Sequence, residues 1–299
     1  MDAAAATRDL IDSLGTEALA KAEAYTTGGH WLLLWDLLIT LLVTIAFVRA
    51  GWLEALETKL ARRGLATRTF LLSLVFLVGS TVMTLPWTLY AGWWRERAYG
   101  RSSQPLGDFL LQWSLSSAIS SLLMATFFVG VYALLRRTGR SWWAWCGGLA
   151  AAGLCMVMLL GPLLIEPLFN KFEPLQAGPV RTALDSMARD AGIPSDRIFV
   201  YDGSRQSNNF TANVSGIGSS ARVAISDIAL KSASLDEVKA VTGHEIGHYV
   251  LGHVWQALGL SVLLISLGFL LVDRLYSRVA LALGSNAALS DARGLPVLL

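Results

Sequence analysis

Five stretches of this chain are too long and too apolar to be the core of a water-soluble fold. They cover about Trp31–Val48, Thr69–Trp93, Phe109–Leu135, Trp142–Ile165 and Gln256–Val272. A hydrocarbon layer ~30 Å thick is crossed by about 20 such residues in a helix. Lipid offers no partner to a free N–H or C=O, so each stretch has to satisfy its backbone internally, as a helix does. The chain is therefore expected to be a polytopic helical membrane protein. Only 15% of its residues are charged, against about a quarter in soluble domains. Eleven Trp residues, many beside the apolar runs, fit the aromatic belts of a lipid–water boundary.

The same composition excludes other classes. A net charge of +2 with no dense Lys/Arg run gives no footprint for nucleic acid. Cys146 and Cys155 share one apolar run. At that spacing on a helix they stand about 13 Å apart, too far for a disulfide, and they read as packing residues. Pro86 and Pro162 inside spans are tolerable because neighbouring helices can re-satisfy freed carbonyls. Asp36 and Glu166 lie near span ends, within reach of the interface, and are read as structural. The Met-Asp-Ala-Ala start lacks the basic region of a cleavable signal, so the first span is expected to direct its own insertion.

Four regions follow. Residues 1–30 form an Ala-rich amphipathic helix, with Leu10, Leu14, Ala18 and Ala22 four apart, closed by Gly28-Gly29. Residues 31–165 hold four membrane helices. Residues 166–255 turn polar and mixed α/β, with a helix opened by Gly178-Pro179 and β-prone runs at Arg197–Tyr201, Asn209–Ser215 and Arg222–Ser226. Residues 256–299 hold a fifth membrane helix and the start of a sixth, which the sequence leaves incomplete. Ser234 and Glu237 make a capping box opening a helix that meets no breaker through Val272, about 55 Å if continuous.

On that helix lies His244-Glu245-Ile246-Gly247-His248. Four residues advance about 400°, so both imidazoles leave one face a single turn apart, as two nitrogen ligands of one Zn²⁺ must. Glu245 stands beside them, placed to take a proton from a water activated at the metal rather than to bind the metal. Gly243 and Gly247 weaken the helix but allow a substrate or another helix to approach closely. The bland alternative is a pair of surface histidines. Against it, three of the four His of the chain fall within ten residues, at the seam of a polar segment and a membrane helix. His253, five residues on, would sit about 140° round a continuous helix, outside that metal site and free to hydrogen-bond at the membrane surface. His30, beside Trp31, is an interfacial residue.

Further landmarks are Leu85-Pro86-Trp87-Thr88-Leu89-Tyr90, Pro167-Leu168-Phe169-Asn170-Lys171-Phe172 with Pro174-Leu175, and Asp202-Gly203-Ser204-Arg205. In this order, with these spans and the zinc motif, the chain resembles the type I CAAX prenyl endopeptidases, integral-membrane zinc metallopeptidases of the a-factor-converting type. The resemblance covers about residues 70–275. It implies a helical barrel around a water-filled chamber, with a small α/β metallopeptidase domain carrying the zinc helix at its rim. It also implies one Zn²⁺ per chain, and polypeptide substrates with prenylated C-termini lying as an added strand beside Phe210, Thr211, Ala212 and Asn213. Where the family reads Asn-Ala-Tyr or Asn-Ala-Phe, this chain has Thr211-Ala212-Asn213. The family's third zinc ligand, a Glu of a Glu-x-x-x-Asp segment beyond a further membrane helix, has no match here; Asp273 and Asp291 lack the motif. The sequence thus reads as an enzyme cut short before its third ligand.

The charges of the loops bear on orientation. Arg49–Arg68 and Arg136–Arg140 hold five and three basic residues, and Trp94–Gly107 holds three. The positive-inside rule puts the α/β segment outside, whereas the resemblance implies that it faces the cytoplasm. The charge bias is modest, and the cytoplasmic orientation is preferred. The expected function is a membrane-bound zinc endopeptidase with Glu245 as general base. The alternatives are a quality-control membrane metalloprotease of the heat-shock type, which has fewer spans before its motif, and a catalytically silent scaffold in the bilayer.

Overall fold

In a computed structural model of the protein, residues 2–194, 196–216 and 221–299 are described. Asp2 caps α1 (Ala3–Ser13) by accepting the Ala4 N–H at 3.2 Å. After Gly15, α2 (Thr16–Ala50) runs unbroken for 35 residues. The expected closure at Gly28-Gly29 does not occur. The bare face of Gly28 seats the Arg95 guanidinium, 3.2 Å from where a Cβ would stand. That guanidinium also lies 4.1 Å over the Tyr25 ring and donates to the Tyr25 carbonyl. The glycines thus serve a neighbour rather than end the helix.

Next come α3 (Trp52–Leu60), α4 (Leu65–Thr88), α5 (Arg95–Ala98), α6 (Leu106–Arg137), α7 (Trp142–Leu160) and α8 (Glu166–Phe169). Wide π-type turns occupy Leu89–Trp94 and Gly161–Ile165. Pro86 lies just before the first and Pro162 inside the second, where a missing N–H loosens the regular ladder. Among the described residues, five continuous helical segments are long and apolar enough to cross a membrane: Thr16–Ala50, Leu65–Ala98, Leu106–Arg137, Gly139–Phe169 and His253–Leu283. The protein is an integral, multi-pass, mainly α-helical membrane protein. Phe47, Leu72, Phe128, Tyr132 and Trp142 build the core of the bundle.

The polar module follows α8. It comprises β1 (Phe172–Pro174), α9 (Pro179–Asp190), β2 (Ile198–Tyr201), β3 (Ala212–Ser215), β4 (Arg222–Ser226), α10 (Asp227–Ser232) and α11 (Leu235–Val250). The sheet order is β1-β2-β4-β3, with β2 and β4 parallel and both outer strands antiparallel. The sequence pattern has no sign of β1, three residues ending on a proline that only an edge strand accepts. Leu184, Ile198, Val223, Ile225 and Val238 fill the space between sheet and helices.

The long helix expected through Val272 is two helices. α11 stops at Val250, Gly252 takes φ +65, and α12 (His253–Leu283) starts in a new direction. A glycine just past a helix end is the usual residue for that left-handed position. Beyond α12, α13 (Leu295–Leu298) folds back, and Leu295 and Leu298 join the bundle core.

Candidate metal centre

The capping box forms as the sequence predicts. Ser234 Oγ accepts the Glu237 N–H at 3.3 Å, and the Glu237 carboxylate accepts the Ser234 N–H at 2.7 Å. That backbone donor holds the Glu237 carboxyl below its ordinary range. Past the cap, Val238, Thr242 and Ile246 recur every fourth residue and are buried. Full burial of a Val or Ile side chain stabilises by about 1.5–3 kcal/mol, so this stripe fixes the rotation of α11. His244 is about 200° from Thr242 on a helix and therefore faces away from the stripe, as does His248. Both histidines are exposed and Glu245 is half-buried.

His244 Nε2 and His248 Nε2 are 3.0 Å apart, with their rings at 83°. Two nitrogens bound tetrahedrally to one Zn²⁺ at 2.0–2.1 Å would be about 3.3–3.4 Å apart. The two nitrogens thus stand within about 0.4 Å of the separation that a shared zinc requires, and the pair fits that ion. The Glu245 side chain has no hydrogen bond or ion pair among the described residues. Nor, among the described residues, is any group of three or more His, Cys, Asp or Glu side chains arranged to hold a metal. Asp273 instead accepts the Trp142 indole N–H at 2.7 Å, and Asp291 accepts from Arg293.

The break at Gly252 changes the position of His253. On a continuous helix it would turn away; here its Nδ1 lies 2.7 Å from His248 Nδ1, on the side of that ring opposite His244. Its contact with His248 depends on the turn at Gly252, four residues past His248, which the reading of one continuous helix missed. The two glycines of the motif separate in role. Gly243 packs on Met187 of α9, whose Cε would lie 3.0 Å from an added Cβ, while Gly247 meets nothing within 4 Å and leaves open space beside the histidines.

α11 lies against β3, the outer strand of the sheet. Phe210 and Ala212 pack into the core of the module. Thr211 is tied inward, its N–H donating to Ser226 Oγ at 3.1 Å and its C=O accepting the Ser226 N–H at 2.9 Å. Antiparallel alternation then directs the backbone groups of Ala212 and Val214 to the free edge. Asn213 Oδ1 is buried with no hydrogen-bond partner among the described residues.

The remaining landmarks hold the module on the bundle. Asp202 accepts the Lys171 N–H at 2.9 Å and the Asn170 amide at 3.1 Å. Arg205 donates to Asp108 at the start of α6, with its Nε at 2.9 Å, which raises the guanidinium above its ordinary value. Gln206 reaches Gln112 at 2.8 Å, and the Asn208 N–H donates to the Arg101 carbonyl at 2.8 Å. Glu166 pairs with Arg222, and Asp36 accepts from Trp87. Both acids of the span ends are thus in structural contacts.

Comparison with known proteins covers nearly the whole chain. Residues 3–171 match the family described as CAAX prenyl protease N-terminal, five membrane helices, and residues 174–293 match peptidase family M48. A Bacillus subtilis protein named "Uncharacterized metalloprotease YhfN" is 30% identical over 292 residues, covering 94% of this chain and 67% of that protein. CAAX prenyl protease 1 of Saccharomyces cerevisiae is 30% identical over 251 residues, 81% of this chain and 52% of the relative. The crystal structure of S. mikatae Ste24p matches with a TM-score of 0.62 at 23% identity, over 86% of this chain and 58% of that one. The chain spans about half the length of the yeast relative.

Proposed function

This chain belongs to the CAAX prenyl protease family, peptidase family M48, and on that premise we propose that it carries the zinc-binding and proton-transfer residues of a membrane-embedded metalloendopeptidase. The observation that carries this reading is the 3.0 Å convergence of His244 Nε2 and His248 Nε2, with Glu245 alongside. His244 and His248 would hold Zn²⁺, and Glu245 is the general base. When bound, zinc supplies Lewis-acid polarisation of the scissile carbonyl and lowers the pKa of water towards about 7.

The chain's own groups do the rest. Glu245, whose carboxylate has no competing partner among the described residues, takes the proton of the attacking water and returns it to the leaving amine. The free edge of β3 orients an extended polypeptide through the backbone groups of Ala212 and Val214, a recognition that needs no particular side chain. The departure at Thr211-Ala212-Asn213 then leaves that pairing intact. A catalytic zinc takes three protein ligands and one open position. By the family likeness the third is a carboxylate from a Glu-x-x-x-Asp segment, a pattern these residues do not contain. By the same likeness the substrates are polypeptides with prenylated C-terminal motifs, presented from the bilayer to a module facing the cytoplasm.

The test uses the full-length protein. Glu245→Gln should keep one zinc per chain and lose peptide hydrolysis by about 10²–10⁴-fold, whereas His244→Ala should lose the metal. Peptide hydrolysis by Glu245→Gln at the wild-type rate would refute the general-base assignment.

A further inference from the structure

The geometry points to His253 as a positioning residue that fixes the tautomer of His248, an inference that rests on the zinc reading above. A neutral imidazole that offers its Nε2 lone pair to a metal must carry its proton on Nδ1. In this protein the Nδ1 of His248 is 2.7 Å from the Nδ1 of His253. His248 therefore donates there and His253 accepts, which in turn places the proton of His253 on its own Nε2. An acceptor on the far nitrogen of a ligating imidazole sets the ring's orientation and raises its basicity toward the metal.

The backbone supports the same assignment. Gly252 at φ +65 ends α11, and His253 is the first residue of the membrane helix α12. The half-buried His253 ring is thus carried by a different, lipid-anchored element from the ring it contacts. The two rings meet at a centroid distance of 4.8 Å and an interplanar angle of 64°, an edge-on arrangement that suits an in-plane hydrogen bond. His253 is not a third ligand of the same ion, because His248 turns Nε2 toward His244 and Nδ1 toward His253.

Zinc affinity of the full-length protein, measured by chelator competition with metal analysis, tests this. His253→Phe keeps a ring but removes the acceptor, and should weaken zinc binding by about 10–100-fold. His253→Asn, whose side-chain oxygen can stand near the Nδ1 position, should restore affinity to within about threefold of wild type. Unchanged affinity in His253→Phe, or equal losses in both variants, would overturn the acceptor role. Loss of stoichiometric zinc in His253→Phe, matching His244→Ala, would also overturn it by making His253 a ligand. If zinc binding is insensitive to His244→Ala, the zinc reading itself fails, and that outcome is distinct from the others.

Discussion

Gly252→Ala distinguishes the two backbone paths available where α11 meets α12. Gly252 has φ +65 and ψ +27. An alanine held there costs about 1–2 kcal/mol in the left-handed conformation. Sterics add nothing, because its Cβ would meet only Trp255 Cδ1 at 3.7 Å, an ordinary contact. On a helix continuous from α11 into α12 the same substitution would replace a poor helix former with the best one and stabilise by up to about 1 kcal/mol. The sign therefore decides. At an unfolding entropy of about 2.1 cal/mol/K per residue, a chain of 299 residues shifts by about 1.6 °C per kcal/mol, so thermal unfolding in detergent should show a midpoint lower by about 2–3 °C. Straightening to relieve the strain would swing His253 about 140° away from His248, so the variant should also hold zinc less tightly. Gly252→Asn, which tolerates this conformation better, should recover part of both losses. A raised midpoint with unaltered zinc affinity would refute the break.

Gly147 of α7 faces α12 so closely that an added Cβ would lie 2.0 Å from Ser266 Oγ. Gly147→Leu should destabilise by about 1–3 kcal/mol in thermal scans, while Gly148→Leu, with nothing within 4 Å, should be near neutral. Removing the partly exposed Arg205–Asp108 pair by Arg205→Ala should cost at most about 1 kcal/mol, yet limited proteolysis of the 202–208 loop should accelerate. Asp227 accepts from the Ser204 N–H at 2.8 Å and from Lys231. Burial pushes its carboxyl up, but these donors outweigh it and hold the group below its ordinary range. Its contribution to stability is then present above the unfolded value of about 3.9 and is lost as pH falls through the lower folded value. Asp227→Asn should flatten that acid limb of the stability–pH curve.

The membrane helices were legible because span length is a property of lipid, readable residue by residue. The capping box was legible for a similar reason: Ser234 and Glu237 need only each other. Gly28-Gly29 and Gly252 went the other way, because a glycine has two uses that look alike in one dimension. Gly28 gives room to Arg95, a residue far along the chain, and the helix continues. Gly252 gives a positive φ, and the helix ends. What separates the two is a tertiary partner at the first site and its lack of a tight neighbour at the second, and neither is written in local pattern.

The same limit applied to Asp202-Gly203-Ser204-Arg205 and to Asn170-Lys171. The sequence marks them as landmarks of a family but not what they do, since their partners lie on α6 and across the sheet. In the folded protein they work on the problem set by the two histidines. His244 and His248 are aimed by the stripe of Val238, Thr242 and Ile246, which registers α11 against the sheet. The sheet is held against α6 by Arg205 and Gln206, and Asp202 ties it to the segment that leaves α8. His253, starting α12, meets the same site from the membrane side. The candidate zinc site is thus fixed from two directions, through the module and through the last span, so slackening either one should loosen the metal without touching a ligand.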